Sequence, residues 1–171
     1  MSNVYAIADL HLLHKNIMGF AGEYRDGNTY IENAYALVTQ WNAKIRKRDT
    51  VYVLGDVVWN TGDLSILSEL KGDKILVRGN HDTFPTKEYL KYFNEVHGVV
   101  KYKGFWLSHI PIHPAELRGC KNIHGHVHQN SIRDGYNQLD DRYINVCVEN
   151  AGSAPVSIAD IRSGAFVGRV K

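Results

Sequence analysis

The chain has 171 residues, with 20 Lys and Arg against 18 Asp and Glu and with nine histidines, so its formal net charge is +2. This length suits one domain spanning residues 1–171, and 44% apolar with 22% charged residues is ordinary for a globular protein, which disfavours disorder, collagen and coiled coil. The near-neutral charge gives no indication of a nucleic-acid or anionic-membrane partner. Nine histidines are many for this length, and imidazole is the commonest metal ligand.

The cysteines and the hydropathy exclude several further classes of protein. Cys120 and Cys147 are too few for a disulfide scaffold, and the absence of C-x-x-C excludes a zinc ribbon or a thioredoxin-type redox site. No apolar run reaches the roughly 18 residues that a membrane helix needs. The apolar stretch 4–7 is soon interrupted by Asp9 and no basic region precedes it, so we expect no signal peptide and a cytoplasmic location.

The first half of the chain alternates predicted strands with predicted helices. Apolar runs at 4–8, 50–54 and 74–77 predict buried strands. Thr29 and Glu32 form a capping box, and apolar residues at helical spacing then predict a helix that ends at about Arg48. Two short helices are predicted, at 63–70 and 86–92. This alternation is typical of an α/β layer with mainly parallel strands.

The second half has the pattern of several short strands. Residues 96–102 and 105–108 flank Lys103-Gly104, which predicts a hairpin. A helical turn is predicted within 157–162. Further strands are predicted at 122–123, 143–148, 155–157 and 165–170.

Polar side chains follow five of the predicted strands at the point where each strand ends. In chain order they are Asp9-Leu10-His11, Gly55-Asp56, Gly79-Asn80-His81-Asp82, His109 and Gly125-His126-Val127-His128. Each piece alone is weak evidence, since Gly-Asp and Gly-Asn are ordinary turn sequences. Because the carboxyl ends of parallel strands meet at one edge of a sheet, where ligands bind, we expect these groups to lie close together. They combine carboxylate, imidazole and amide without thiolate, which suits first-row ions, and their number suits two ions.

In this order the five motifs resemble those of the calcineurin-like metallophosphoesterase family, and the chain is most similar to its small, uncapped bacterial and phage-type members. The resemblance implies a two-sheet α/β sandwich, in four αββα layers. It also implies two divalent or trivalent metal ions, drawn from Mn, Fe, Zn or Ni. Its implied ligands are Asp9, His11 and His128 for the first ion, Asn80, His109 and His126 for the second, and Asp56 as the bridge between them.

The same resemblance implies hydrolysis of a phosphodiester or phosphomonoester by a hydroxide that the two ions generate from water. His81 would contact the phosphate together with Asn80, and would protonate the leaving oxygen as a general acid. His14 is a candidate for a further phosphate contact, with a solvated loop histidine as the alternative. Arg25 and Arg78 are candidate phosphate clamps by chemistry alone, with surface or packing roles as the alternative.

One segment departs from the protein phosphatases of this superfamily, which extend Gly-Asp into G-D-x-V-D-R-G. Here residues 55–60 read Gly-Asp-Val-Val-Trp-Asn, so Trp59 replaces the aspartate that would orient the catalytic histidine. This difference argues against a protein phosphatase. It leaves Asp82 as a candidate catalytic residue that orients His81, with a turn-capping carboxylate as the alternative.

A chain of this length has no room for a cap domain, so we expect an open cleft, which favours diesters, cyclic nucleotides or nucleic-acid ends. The expected partner is a small phosphoester or nucleotide, and nucleic acid is possible. The alternatives are a nuclease or cyclic-nucleotide phosphodiesterase acting on RNA or DNA, and a non-enzymatic scaffold that retains the fold. Of the other histidines, His113 is expected to line the cleft, His124 to support the metal ligands or simply to be buried, and His97 to be structural or solvated.

Overall fold

The computed structural model describes residues 2–59, 63–166 and 168. The strands within them are β1 (Val4–Ile7), β2 (Thr50–Val53), β3 (Asp73–Val77), β4 (Glu95–His97), β5 (Val99–Tyr102), β6 (Phe105–Ser108), β7 (Lys121–His124), β8 (Tyr143–Asn145) and β9 (Val156–Ser157). The α-helices are α1 (Ile17–Ala21), α2 (Tyr30–Lys44), α3 (Thr86–Tyr89), α4 (Val148–Ala151) and α5 (Ile158–Ser163). Short 3-10 helices occupy Gly22–Tyr24, Leu64–Glu69 and Pro114–Glu116.

The first sheet has the strand order β4-β3-β2-β1-β9, and all its neighbours are parallel except β9, which runs antiparallel to β1. Its outer face packs against α2. Ile7, Val53 and Leu76 from the sheet and Leu37 and Trp41 from the helix belong to one buried apolar cluster. Removal of this apolar surface from water is the main driving force that holds the helix on the sheet.

The second sheet has the strand order β5-β6-β7-β8, with an antiparallel β5–β6 hairpin followed by parallel neighbours. Its inner face meets the first sheet in a second buried cluster, which includes Leu54, Val77, Leu107 and Ile123. Two mixed sheets with helices therefore make up the predicted two-sheet α/β sandwich, and this prediction is confirmed.

The two sheets touch directly where β1 ends. The Ala8 amide donates to the Val146 carbonyl at 2.9 Å, and the Val148 amide donates to the Ala8 carbonyl at 3.1 Å. The chain passes from one sheet to the other at Gly98, between β4 and β5. The single strand predicted at 96–102 is therefore wrong, because its two halves pair with strands of different sheets.

Helix α2 begins as predicted and ends earlier than predicted. The Thr29 hydroxyl accepts a hydrogen bond from the Glu32 amide at 3.1 Å, as a capping box requires. The helix ends at Lys44, not Arg48, because Ile45 turns into the core in an extended conformation. The Asp49 carboxylate then accepts from the Arg46 amide at 2.9 Å and fixes the turn that leads into β2.

Three other predicted elements also differ in extent. The helix predicted at 63–70 is a 3-10 helix, and the one predicted at 86–92 has α-helical geometry only at Thr86–Tyr89. No strand forms in the described part of 165–170, and Val167, Arg169 and Val170 lie outside the described residues. Among the helices that the structure describes, none combines the length and the apolar character needed to cross a membrane.

Candidate metal centre

The polar residues that follow the strands lie together at one edge of the sandwich. Backbone hydrogen bonds hold their loops side by side: the Asp9 amide donates to the Gly55 carbonyl at 3.1 Å, and the His11 amide donates to the Asp56 carbonyl at 2.9 Å. On the second sheet, the loop after β7 is joined in the same way to the loop after β6. Loops from both sheets therefore form one continuous polar surface at this edge, which we call the floor.

Most of the candidate ligands have left-handed backbone conformations. Positive φ angles between 45° and 74° occur at Asp9, His11, Asp56, His126 and His128. Residues with a Cβ adopt this region rarely, and each instance costs about 1–3 kcal/mol. The strain is thus concentrated where side chains must face the common edge.

Two glycines allow the loops to approach the buried carboxylates. A Cβ on Gly125 would overlap with Asp9 Oδ2, and a Cβ on Gly79 would overlap with Asp56 Oδ1. No ordinary side chain fits at either position without displacing a carboxylate. These glycines are therefore needed for the site itself and not only for the turns.

The first cluster consists of Asp9, His11 and His128. Asp9 Oδ1 lies 3.8 Å from His11 Nε2 and 3.9 Å from His128 Nε2. Asp9 Oδ1 and His11 Nε2 are buried, and neither has a hydrogen-bond partner among the described residues. Burial of a polar atom without a partner is costly, so these atoms are arranged for a ligand that the polypeptide does not supply.

The other oxygen of Asp9 is held in place from two sides. The His126 amide donates to Asp9 Oδ2 at 2.8 Å, and the buried Cys147 thiol donates to it at 3.1 Å. Burial alone would raise the pKa of Asp9, but His11, His109 and His128 hold it well below its usual value. Burial also raises the pKa of Cys147, so its thiol stays protonated and can donate. No local feature of the sequence predicted this contact of Cys147.

The second cluster is centred on His109. Its Nδ1 lies 2.8 Å from the Leu54 carbonyl and can donate to it, which leaves a lone pair on Nε2 of the neutral ring. That Nε2 lies 2.8 Å from Asn80 Oδ1 and 3.2 Å from His126 Nδ1. Atoms with electron pairs therefore converge on one space, which is the arrangement that a cation stabilises.

Asp56 lies between the two clusters. Its Oδ2 is 3.6 Å from His11 Nε2 and 3.5 Å from His109 Nε2. Within the described residues, two groups have ligand atoms within 4.8 Å of one another: Asp9 with His11 and His128, and Asp9 with Asp56 and His109. Asp9 is common to both groups, so by distance alone it competes with Asp56 for the bridging position. The Asp and His groups at this edge could thus hold metal ions.

A buried ion pair between Arg25 and Glu149 holds His128 of the first cluster in position. Glu149 Oε1 accepts from Arg25 Nη2 at 2.6 Å and from Arg25 Nε at 2.9 Å, and both side chains are fully buried. The same oxygen lies 3.1 Å from His128 Nδ1, which leaves His128 Nε2 free to act as a ligand. Hydrogen bonding to Glu149 raises the pKa of His128. Burial would raise the pKa of Glu149, yet His128 and Arg25 keep it below its usual value.

The role of Arg25 is therefore packing and orientation, and not the clamping of phosphate. Its remaining donors reach the backbone carbonyls of Leu10 and Asp9 at 3.0 and 2.7 Å. Glu149 was missed by sequence reasoning, because a lone acid in a short helix carries no local signal of its partner 124 positions away. Arg78 is similarly occupied, since it donates to the carbonyls of Asp82 and Phe84.

Asp82 does not orient His81 in this structure, and that expectation is corrected. Its two carboxylate oxygens accept from the backbone amides of Asp56, Val57 and Gly79 at 2.9, 3.0 and 2.7 Å. Burial raises its pKa. The carboxylate thus ties the Gly-Asn-His-Asp loop to the Gly-Asp loop, which corresponds to the turn-capping alternative.

His81 lies exposed above the floor, and its neighbours are aromatic. Its ring centroid is 4.8 Å from that of Trp59 and 5.9 Å from that of His11. His14 stacks on Trp59 with centroids 3.7 Å apart and an interplanar angle of 7°. Burial lowers the pKa of His14 to about 4, so the predicted phosphate contact would come from a neutral imidazole.

The remaining histidines lie outside this floor. His124 is the last residue of β7 and is buried, and burial lowers its pKa to about 4. His113 is exposed and accepts from the Ala115 amide. His97 pairs with Glu95 at the surface of the first sheet.

Comparison with known proteins gives consistent matches. A family model described as calcineurin-like phosphoesterase matches residues 2–156. The uncharacterised protein MJ1445 of Methanocaldococcus jannaschii is 32% identical over 167 residues, which covers 92% of this chain and 88% of that protein. The gene 66 protein of Mycobacterium phage L5 is 33% identical over 87 residues, 48% of this chain and 41% of that protein.

A solved structure is similar over nearly the whole chain. The protein of unknown function AQ665 from Aquifex aeolicus has a TM-score of 0.70 and 31% identity, and the match covers 95% of this chain and 99% of that one.

Proposed function

The chain belongs to the calcineurin-like phosphoesterase family, and on that premise we propose that it is a phosphodiesterase dependent on two metal ions. A phosphoester hydrolase follows from the family, whereas the number of ions and the preference for a diester are our proposal. Asp9, His11 and His128 would hold the first ion, and Asn80, His109 and His126 the second. Asp56 would bridge the two ions.

The observation that carries this proposal is the set of unsatisfied atoms at the floor. Asp9 Oδ1 and His11 Nε2 are buried and have no hydrogen-bond partner among the described residues. With His109 Nδ1 donating to the Leu54 carbonyl, His109 Nε2 and Asn80 Oδ1 are two acceptors that face each other at 2.8 Å. A sandwich edge with a purely structural role would satisfy such atoms internally. Mixed oxygen and nitrogen ligands without thiolate suit Mn, Fe, Zn or Ni.

When bound, two such ions would supply a water of lowered pKa and positive charge near the phosphoryl oxygens. The protein's own residues have distinct tasks. The His81 amide donates to Asp56 Oδ1 at 2.9 Å, which ties the backbone of His81 to the carboxylate proposed as the bridge. From there its ring N–H can donate a proton to the leaving oxygen, and Asn80 can contact the phosphate from the same loop.

The surroundings of His81 favour a diester over a phosphoprotein. The position that carries an orienting aspartate in the protein phosphatases is Trp59 here, and its ring packs at 4.8 Å from His81. Packing against a ring restrains the imidazole without fixing its charge. His81 is also exposed, so a substrate with groups on both sides of phosphorus meets no wall above it.

The direct test uses the purified protein loaded with Mn²⁺. Bis-p-nitrophenyl phosphate, p-nitrophenyl phosphate and 2′,3′-cyclic nucleotides are offered as substrates, and bound metal is measured by elemental analysis. We expect faster turnover of diesters than of the monoester, with two ions per chain. No turnover of any substrate together with no bound metal would support the non-enzymatic scaffold instead.

The bridging assignment has its own test. Asp56→Asn should abolish turnover and lower the metal content, because the amide cannot offset the repulsion between two cations. Asp141→Asn is the matched control, since its carboxylate is exposed at the surface and pairs only with Lys121. Asp56→Asn protein with normal activity and two bound ions would refute the bridge.

A further inference from the structure

A cleft of about 330 Å³ opens beside the first cluster, and its walls differ from the polar floor. Its lining includes His81 and His128 from the motif loops together with the aromatic side chains of Trp59, His14 and Phe20. No Lys, Arg, Asp or Glu lines it among the described residues. The volume is at the lower end of the range typical of small-molecule sites.

The sides of the cleft are aromatic and arranged as a platform. Trp59 and His14 stack face to face, and the Phe20 ring lies 6.1 Å from that of His14. Phe20 is 71% exposed, the largest exposure of any phenylalanine in the described residues. A rigid aromatic stack next to an exposed ring is the arrangement on which proteins stack nucleic-acid bases.

Two uncharged polar side chains also line the cleft. They are Gln129 and Asn130, which follow His128 directly. The side-chain amides of both make no hydrogen bond with any residue that the structure describes. Carboxamides can donate and accept at once, which matches the edge of a nucleobase.

The position of His81 decides which part of the substrate enters this cleft. A general acid must lie next to the oxygen that leaves, and His81 lines this cleft. The group attached to that oxygen therefore projects toward Trp59 and Phe20. An acidic or basic leaving group would find no partner of opposite charge there.

We propose that this cleft binds the leaving group of the substrate and that this group is a nucleoside, whose base stacks on the exposed Phe20 ring beside the Trp59–His14 pair. This inference rests on the proposed function. The P–O bond to the nucleoside breaks with its electron pair going to the nucleoside oxygen, which takes a proton from His81. Water supplies the oxygen that replaces it on phosphorus.

The test measures binding, so that it does not depend on turnover. Adenosine 5′-monophosphate, ribose 5-phosphate and inorganic phosphate are titrated into Zn²⁺-loaded protein, and tryptophan emission is read within seconds of mixing. We expect the adenosine compound to bind roughly tenfold or more tightly than ribose 5-phosphate, because only it can stack. The emission change should disappear in Trp59→Phe, since Trp41 is buried in the core and Trp106 does not line the cleft.

Phe20→Ala is the decisive variant, and Tyr136→Ala is its control because Tyr136 is 88% exposed and does not line the cleft. The adenosine preference should fall severalfold in Phe20→Ala and stay unchanged in Tyr136→Ala. Equal dissociation constants for adenosine monophosphate and ribose 5-phosphate in the unaltered protein would overturn the inference, as would an undiminished preference in Phe20→Ala. If bis-p-nitrophenyl phosphate is still hydrolysed in that case, the proposed function stands and only the nucleoside assignment fails.

Discussion

Replacement of Glu149 by glutamine should damage both the fold and the first metal cluster. The substitution keeps the shape of the side chain and removes its charge, which leaves the Arg25 guanidinium buried without a counter-ion. Breaking a buried ion pair on one side costs about 3–5 kcal/mol. Arg25 keeps its bonds to two backbone carbonyls at 2.7 and 3.0 Å, so we expect the lower end, about 3 kcal/mol.

The same substitution should weaken metal binding, because the carboxylate that sets the tautomer of His128 lies 3.1 Å from its Nδ1. Loss of such a partner typically lowers metal affinity by about 10- to 100-fold. Urea unfolding of chelated protein measures the first effect, and titration of the folded protein with Zn²⁺ measures the second. The two measurements separate lost stability from lost orientation.

Two further variants make the reasoning refutable. Glu116→Gln removes an exposed partner of Arg118 and should change the free energy of unfolding by less than about 1 kcal/mol. Arg25→Met combined with Glu149→Leu removes both charges and should cost less than the sum of the single changes. If Glu149→Gln lowers the free energy of unfolding by less than about 1 kcal/mol and leaves the zinc affinity unchanged, the ion pair neither stabilises the fold nor orients His128.

Three other predictions concern the pH dependence, the glycine contact and the helix cap. His124 has a pKa of about 4 in the fold against 6.5 unfolded, so the unfolded chain binds the proton first and stability should fall by up to about 3 kcal/mol between pH 6.5 and 4. Chemical unfolding across that range should give a flatter profile for His124→Gln, and an identical profile would contradict the assignment. Gly79→Ala should weaken zinc binding by tenfold or more in calorimetry by displacing the Asp56 carboxylate, whereas Gly98→Ala, with nothing within 4 Å, should leave it intact. Thr29→Ala should lower the free energy of unfolding in urea by about 1 kcal/mol, and no loss would show that the capping bond is unimportant.

The convergence of the site could be predicted from the sequence because it depends on a general rule of α/β sheets. Parallel strands bring their carboxyl ends to one edge, so short motifs far apart in the chain meet without further information. The capping box at Thr29 was predictable for a similar reason, since both partners lie within one turn of helix. Local signals and simple topology thus predicted the α/β character and the cluster of polar groups, whereas the two-sheet sandwich and the assignment of ligands to two ions came from the resemblance to the phosphoesterase family.

The supporting contacts could not be predicted, because they join residues that only burial brings together. Glu149 finds Arg25 across 124 positions, and Cys147 finds Asp9 across 138. Nothing near either residue in sequence distinguishes it from an ordinary buried side chain. The early end of α2 was missed for a related reason. Burial of the Ile45 side chain in the core requires an extended backbone there, and this outweighs the helical propensity of the lysine and arginines that follow.

The left-handed backbone at five of the candidate ligands limits how this protein can evolve toward higher thermal resistance. Glycine, or asparagine, would relieve the torsional strain at each of these positions. Every such replacement also removes or weakens a candidate metal ligand. Stabilising mutations are therefore easiest to find at positions where selection for activity rejects them. Higher thermal stability has to come from substitutions elsewhere in the sandwich.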